Sequence, residues 1–168
     1  VFLYTLRAHA LIRDFLVERY WPAAFSGHRE IMGVEIVAFL EDVAGTERMP
    51  EPWSASVMQR VSRNLGKTLT DFGFFEDRRS PIRRIRYWSA SPFLFAYTLV
   101  EGHEDGVSDI SLLELPEWGA MGMDRKDVVD RCSRVSGTMA PFQFQYGGDI
   151  ARFSWRYDTV EEYLNGSA

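Results

Sequence analysis

The stretch from Ser56 to Phe72 constrains the fold most, because its apolar and basic residues separate at helical spacing. The apolar positions on one side are Val57, Val61, Leu65, Leu69 and Phe72. The basic positions almost opposite are Arg60, Arg63 and Lys67. Ser56 with Gln59 three positions later fits a capping box at the start, and Gly73 fits the end. The sequence therefore predicts an amphipathic helix whose basic side faces outward.

This helix lies in a segment whose charge opposes that of the whole chain. Between Ser54 and Ala90, eight basic residues stand against three acidic ones, a local balance of +5 in a chain of net charge −5. The remaining residues therefore sum to −10. A positive charge concentrated in one supersecondary unit indicates an anionic partner.

Two strand-like runs follow Gly73, at Phe74–Phe75 and from Ile82 to Trp88, and the residues between them are typical of a turn. Pairing of these runs predicts a hairpin with Ile82 and Ile85 facing the body of the protein. The arginines expected to point outward, at the tip or along the rim, are Arg78, Arg79, Arg83, Arg84 and Arg86. A helix followed by a basic hairpin is typical of a winged helix.

Helices are also predicted on the amino-terminal side of this unit. One covers residues 2 to 20 and ends at Trp21-Pro22, because proline restricts the residue before it. A shorter one covers the apolar run from Val34 to Leu40 and ends at Gly45.

The second half of the sequence repeats the helix-hairpin order. Ser91-Pro92 predicts the start of a helix that runs toward Gly102, and Asp124 caps a helix from Arg125 to about Ser136. Residues 142 to 157 alternate around a Gly147-Gly148-Asp149 turn and predict a hairpin. Thr159 with Glu162 predicts a final capped helix. Residues 91 to 168 hold six basic and thirteen acidic residues, which does not favour contact with phosphate.

The predicted fold is mainly α with small β-hairpins, a helical bundle containing winged-helix-like helix-hairpin units. We expect two lobes, residues 1–90 with the basic unit and residues 91–168 with the acidic one. The lone cysteine, Cys132, cannot form an internal disulfide, and no apolar run reaches the roughly 18 residues of a membrane span. Residues 1 to 4 lack the basic region of a secretory signal. These features indicate a cytoplasmic protein without a membrane partner.

The sequence does not predict an enzyme or a cofactor. The three histidines, His9, His28 and His103, lack the spacing of metal ligands, and we expect His9 to be buried in the first helix. The run from Glu101 to Asp105 could hold a cation, although an exposed acidic turn is favoured. Cys132 lies on an apolar helix stripe without an identifiable base, and the glycine pair at 147 lacks the lysine of a phosphate-binding loop. We therefore predict neither catalytic nor metal-binding residues.

Roughly residues 7 to 95 resemble the BrxA family, small accessory proteins of the BREX phage-defence islands of bacteria. The segments that carry the resemblance are Ile12–Tyr20, Phe39–Asp42, Trp53–Ser56, the helix with Arg60, Lys67 and Leu69, Asp71–Phe75, and Ile82 leading to Ser91-Pro92. The resemblance implies a helical protein with small winged-helix elements that binds double-stranded DNA in support of phage restriction. It implies no catalytic residues.

A basic helix face and a basic hairpin tip are two surfaces that could contact DNA, one in the major groove and one along the backbone. The predicted DNA-binding residues are Arg60, Arg63, Lys67, Arg78, Arg79, Arg83, Arg84 and Arg86. The main alternative is a protein-interaction adaptor within a defence complex, for which the aromatic second lobe could supply the surface. Its candidates, more often core residues, are Trp118, Phe142, Phe144 and Trp155. RNA binding through stacking on Tyr87 and Trp88 is a further alternative.

Overall fold

Helices make up most of the described chain, as the hydrophobic periodicity predicts. The structure, a computed structural model, describes residues 1–51, 53–76, 81–137, 139–148 and 150–166. It divides into two compact units, Val1–Trp88 and Ser89–Ala168. Within the described ranges, no helix is both long and apolar enough to span a bilayer.

The first unit places two short strands among its helices. Its elements are α1 (Phe2–Ala8), α2 (Ala10–Phe15), a π-helical turn π1 (Leu16–Tyr20), α3 (Trp21–Phe25), β1 (Glu30–Met32), α4 (Gly33–Val43), α5 (Ala55–Asp71) and β2 (Ile82–Arg84).

The first helix differs from its prediction in two ways. Extended backbone at His9, with φ −129° and ψ 86°, separates α1 from α2, and the His9 side chain is exposed rather than buried. The chain also remains helical past Trp21-Pro22 and ends only after Phe25. Pro22 is the second residue of α3, which follows π1 without a break in the helical backbone.

Tyr20, the last residue of π1, lies at the centre of the first unit's core and is 0% exposed. Its hydroxyl lies 2.7 Å from the carbonyl oxygen of Arg86 and 3.1 Å from that of Phe74, and donates to these acceptors. Its ring meets Phe74 and Phe75 edge-on, at centroid distances of 5.0 and 5.7 Å. Burial raises the pKa of Tyr20 far above its usual range. This one side chain therefore ties the helical segment to the chain on both sides of the predicted hairpin.

Helix α5 confirms the predicted amphipathic helix but not its predicted cap. The helix begins at Ala55 after Ser54, and the Ser54 side chain makes no capping hydrogen bond. Leu65 and Leu69 are buried, whereas Val57 and Val61 are only partly covered. The end at Gly73 is confirmed.

Gly73 can end α5 because it takes up a left-handed backbone conformation with φ +85°. This turn lets the Phe74 N–H donate to the Leu69 carbonyl at 2.9 Å. The chain thereby reverses toward the small sheet directly after the helix.

The hairpin prediction is only partly correct, because the chain adds a strand that the sequence did not predict. β1 pairs antiparallel with β2 through Glu30 and Arg84, Ile31 and Arg83, and Met32 and Ile82. On the other side of this strand, Phe75 and Ile85 form a bridge. The resulting order from edge to edge is β1, then the 82–85 strand, then the chain at Phe75.

The register of this sheet reverses two predicted orientations. Ile31 is 2% exposed and its partner Arg83 is 8% exposed, so both side chains point inward. Ile82 is 43% exposed, and Arg84 is exposed as well. The prediction of an inward Ile82 and an outward Arg83 was therefore wrong, because pairing with β1 fixes which face of the strand is covered.

The second unit follows the predicted helix-hairpin order more closely. Its elements are α6 (Pro92–Glu104), α7 (Asp109–Leu112), α8 (Pro116–Ala120), α9 (Arg125–Val135), β3 (Phe142–Gly147), β4 (Ile150–Trp155) and α10 (Val160–Gly166). The side chains of Ser91 and Asp124 accept the predicted capping hydrogen bonds from the N–H groups of Leu94 and Asp127. β3 and β4 pair antiparallel from Phe142 and Trp155 to Gly147 and Ile150.

Replacing Tyr20 by phenylalanine tests the hydrogen bonds at the centre of the first unit. We expect Tyr20→Phe to lower the free energy of unfolding by about 1–1.5 kcal/mol, because the Arg86 carbonyl loses its hydroxyl donor while the ring packing remains. Tyr87→Phe is the matched control, since Tyr87 is 94% exposed. Its change is expected within about 0.5 kcal/mol. Guanidinium denaturation of the full chain measures both, and equal values would contradict the role of the Tyr20 hydroxyl.

Candidate nucleic-acid interface

The basic side of α5 is exposed, as predicted. Arg60, Arg63 and Lys67 all lie on the surface and follow one another at spacings of three and four residues, which places them in one row. At 1.5 Å per residue the row spans about 10 Å. None of the three forms an ion pair or side-chain hydrogen bond with the described residues. These residues are called the α5 basic row below.

Other arginines of the first unit are already occupied by carboxylates. Arg48 lies 2.5 Å from Glu18 and 3.5 Å from Asp14, and Arg19 forms an ion pair with Asp42. A cation that is paired with a carboxylate attracts an anionic ligand less strongly. The α5 basic row is therefore a cationic surface distinct from these paired arginines.

Arg84 and Arg86 are exposed near the small sheet, as the sequence predicts. The Arg84 side chain is 68% exposed, and its Nε lies 3.7 Å from a Glu30 oxygen, a long and solvated ion pair. Arg86 has an exposed side chain but an anchored backbone, since its N–H donates to the Phe74 carbonyl and its carbonyl accepts from Tyr20. These backbone hydrogen bonds fix the position from which the Arg86 side chain extends into solvent.

Arg83 lies inside the fold and not on the candidate surface. Its Nη1 donates to Thr70 Oγ1 at 3.3 Å, and its guanidinium carbon lies 5.9 Å from the centre of the Phe75 ring. The guanidinium also crosses α5 at Gly66, where any side chain would collide with it. Arg83 therefore connects the sheet to α5, and its burial removes it from the surface on which the sequence placed it.

The predicted tip residues Arg78 and Arg79 lie outside the described residues. Their assignment to a DNA-contacting tip therefore stays a prediction. The described residues on either side of this segment are held together by two contacts. Phe75 and Ile85 form a bridge, and the Glu76 N–H donates to the Arg84 carbonyl at 3.1 Å.

Sequence reasoning missed Arg29. This exposed arginine lies immediately before β1 and lines a depression of about 350 Å³ together with Arg84, Glu30, Glu76 and Ile85. A three-residue strand carries too little alternation to be recognised, so nothing in the sequence indicated that residue 29 would meet residue 84. The Arg29 side chain adds a cation near Arg84 that lies outside the basic segment.

Two of the groups considered for enzymatic chemistry, His103 and Cys132, are packed against other residues. His103 stacks on Trp155 with the ring centres 4.3 Å apart. Cys132 is 0% exposed, and burial raises the pKa of its thiol to about 12, so it is protonated at neutral pH. Among the described residues, no group of three or more His, Cys, Asp or Glu could hold a metal ion.

The aromatic residues of the second unit are mostly covered. Trp118 and Phe142 are 2% and 1% exposed, which leaves only Phe144 and Trp155 partly accessible among the four candidates for a protein-binding surface. In the first unit, Trp88 stacks on Phe74 at 4.6 Å, and its indole N–H donates to the Phe72 carbonyl. Trp88 is therefore partly covered and packed against the first unit, whereas Tyr87 of the proposed RNA-stacking pair is fully open to solvent.

In a comparison with protein families, the family model described as BrxA matches residues 1–94. The matched segment contains the whole first unit, including the α5 basic row and the small sheet. Comparisons with curated proteins and with solved structures give no match.

Arg83 and Arg84 are adjacent in sequence but differ in burial, which makes them a matched pair. We expect Arg83→Ala to lower the free energy of unfolding by about 2 kcal/mol, because it removes a hydrogen-bonded guanidinium packed between α5 and Phe75. Arg84→Ala is expected to change it by less than about 0.5 kcal/mol, since its ion pair is exposed. Chemical denaturation measures both. Equal destabilisation by the two variants would contradict the structural role of Arg83.

Proposed function

The chain belongs to the BrxA family, accessory proteins of BREX phage-defence systems, and on that premise we propose that it binds double-stranded DNA without catalysing a reaction. The single observation that carries this proposal is the α5 basic row, an exposed line of cations on a helix of 17 residues. Because its members make no ion pair with the described residues, they are available to phosphate oxygens. Arginine and lysine on one helix face can follow a DNA backbone or reach base edges.

The order of elements in the first unit supports a winged-helix mode of binding. Helices precede β1, two further helices follow it, and the chain then returns through the bridge at Phe75 to β2. This is the order in which a winged helix presents its last helix to DNA and the turn between its last two strands as a wing. In this arrangement α5 would be the groove-facing helix, and the wing is predicted to follow Phe75 and precede β2.

The exposed arginines near the small sheet extend the proposed contact beyond α5. Arg84 and Arg86 supply cations at the base of the wing, Arg29 supplies one beside Arg84, and Arg78 and Arg79 would supply two at its tip. Arg83 is not included, because its guanidinium is held against α5. The negative balance of −10 outside residues 54–90 would repel DNA from other faces and orient the protein.

The first test is DNA affinity as a function of salt. About four phosphate contacts give a slope of log affinity against log salt of about −3.6. We expect affinity for a labelled random-sequence duplex to fall by about 100-fold between 50 and 200 mM salt. Fluorescence anisotropy measures this slope, and absence of binding at low salt would contradict the proposal.

The matched variants separate the α5 basic row from net charge. Arg63→Ser with Lys67→Ser is expected to weaken duplex binding by about tenfold at low salt and to make the slope shallower by up to about 1.8. The control, Lys126→Ser with Arg134→Ser, makes the same charge change on exposed positions of α9. It is expected to leave affinity within about twofold, because those residues lie in the acidic unit. Equal losses in both would show that affinity follows total charge and would overturn the assignment to α5.

A second candidate function, contact with another protein of the defence system, is favoured by the outer face of the small sheet. Met32 and Ile82 are cross-strand partners that are 49% and 43% exposed, and Val34 nearby in the chain is 67% exposed. Apolar side chains that adjoin one another on a surface are more typical of protein-binding surfaces than isolated ones are. This candidate replaces DNA binding if the duplex is not bound, and otherwise adds to it.

Co-purification with co-expressed BREX proteins tests this second candidate. We expect Ile82→Asp to reduce recovery of the partner by at least about tenfold, because a carboxylate in an apolar contact must be desolvated. Val17→Asp is the control, since Val17 is also exposed, at 44%, but lies in π1. Equal recovery with the two variants would exclude this face as the docking surface.

A further inference from the structure

A groove in the first unit has the size of a small-molecule site. It has a volume of about 460 Å³ and lies between α5 and the break that separates α1 from α2. Ligand pockets in proteins typically measure about 300–1,000 Å³. The apolar part of its wall includes Leu11 and Val61, with the half-buried ring of Trp53 beside them.

Polar groups with free hydrogen-bonding capacity line the same groove. They are the imidazole of His9, the indole N–H of Trp53, the amide of Asn64 and the hydroxyl of Thr68. None of these side-chain groups makes a hydrogen bond with the residues that the structure describes. An apolar wall with a few polar groups is the usual composition of small-molecule sites.

The groove opens beside the α5 basic row. Asn64 lines the groove and is four residues after Arg60 and three before Lys67, so the three side chains are neighbours on the surface of α5. A ligand that places a polar ring against Asn64 therefore brings any attached phosphate to two exposed cations. The arrangement combines a ring site and an anion site on one helix.

We propose that this groove binds a purine nucleotide, with the ring against Trp53, its edge at Asn64 and its phosphate at Arg60 and Lys67. Bases stack on aromatic side chains in many nucleic-acid-binding proteins. An asparagine amide matches adenine, since it can accept from N6 and donate to N7 at once. The same chemistry occurs in a free mononucleotide and in an unpaired adenine of DNA. The site goes beyond duplex binding and does not depend on it.

The direct test is calorimetric titration of the full chain with adenosine monophosphate at low salt. We expect saturable binding with one site per chain, and at least tenfold weaker binding of adenosine, which lacks the phosphate. Asn64→Leu is expected to weaken binding of the nucleotide at least tenfold. Gln59→Leu is the matched control, because Gln59 is an exposed amide on α5 outside the groove. It is expected to leave binding unchanged.

A second arm distinguishes the two sources of the ligand. A duplex with one unpaired adenine is compared with the fully paired duplex of the same sequence. If the unpaired adenine increases affinity at least tenfold and Asn64→Leu abolishes the increase, the site accepts a base within DNA. If only the mononucleotide binds with the same dependence on Asn64, the ligand is free nucleotide.

The proposal is overturned if neither ligand binds, or if Asn64→Leu and Gln59→Leu behave alike. This failure is distinguishable from failure of the proposed DNA binding. Binding of the fully paired duplex and its dependence on Arg63 and Lys67 are measured separately and do not require the groove.

Discussion

The first unit depends on the burial of Tyr20 with its hydroxyl directed at two backbone carbonyls. The tyrosine ends the π-helical turn, and its acceptors belong to Phe74 and Arg86, which lie before and after the segment that joins Phe75 to β2. A buried hydroxyl without these acceptors would carry a large desolvation cost. The contact therefore selects the fold in which the chain returns from α5 to the amino-terminal helices. That return positions the exposed arginines Arg84 and Arg86 beside the small sheet.

Arg83 shows how one fold uses the same residue type for two purposes. The antiparallel register places alternate side chains on opposite faces, so Arg83 lies against α5 while Arg84 meets solvent. The buried guanidinium contacts Thr70, crosses Gly66 and approaches Phe75, joining the helix to the sheet. A cluster of arginines in a sequence thus overstates the charge available at the surface. Burial and pairing decide how much of it a ligand can reach.

Features that depend on local spacing were predictable, and features that depend on distant pairing were not. The amphipathic α5, the turn at Gly73, the caps at Ser91 and Asp124 and the β3–β4 hairpin all follow from patterns within a few residues. β1 was missed, because a three-residue strand has little pattern of its own and forms only where residues 82 to 84 supply a partner. That omission also caused the error at Arg83. Likewise, the break between α1 and α2 at His9 could not be predicted, because no proline or glycine lies there.

The π-helical turn limits where insertions and deletions can occur in this chain. At about 100° per residue, a regular α-helix would spread the buried residues Phe15, Leu16, Tyr20 and Trp21 over about 240° of its circumference. The wider π turn brings them toward one side. Loss of a single residue there would rotate everything that precedes it, so insertions and deletions are expected to be rare between residues 15 and 21. The exposed turn at Gly27 and His28, by contrast, can accept them without moving the core.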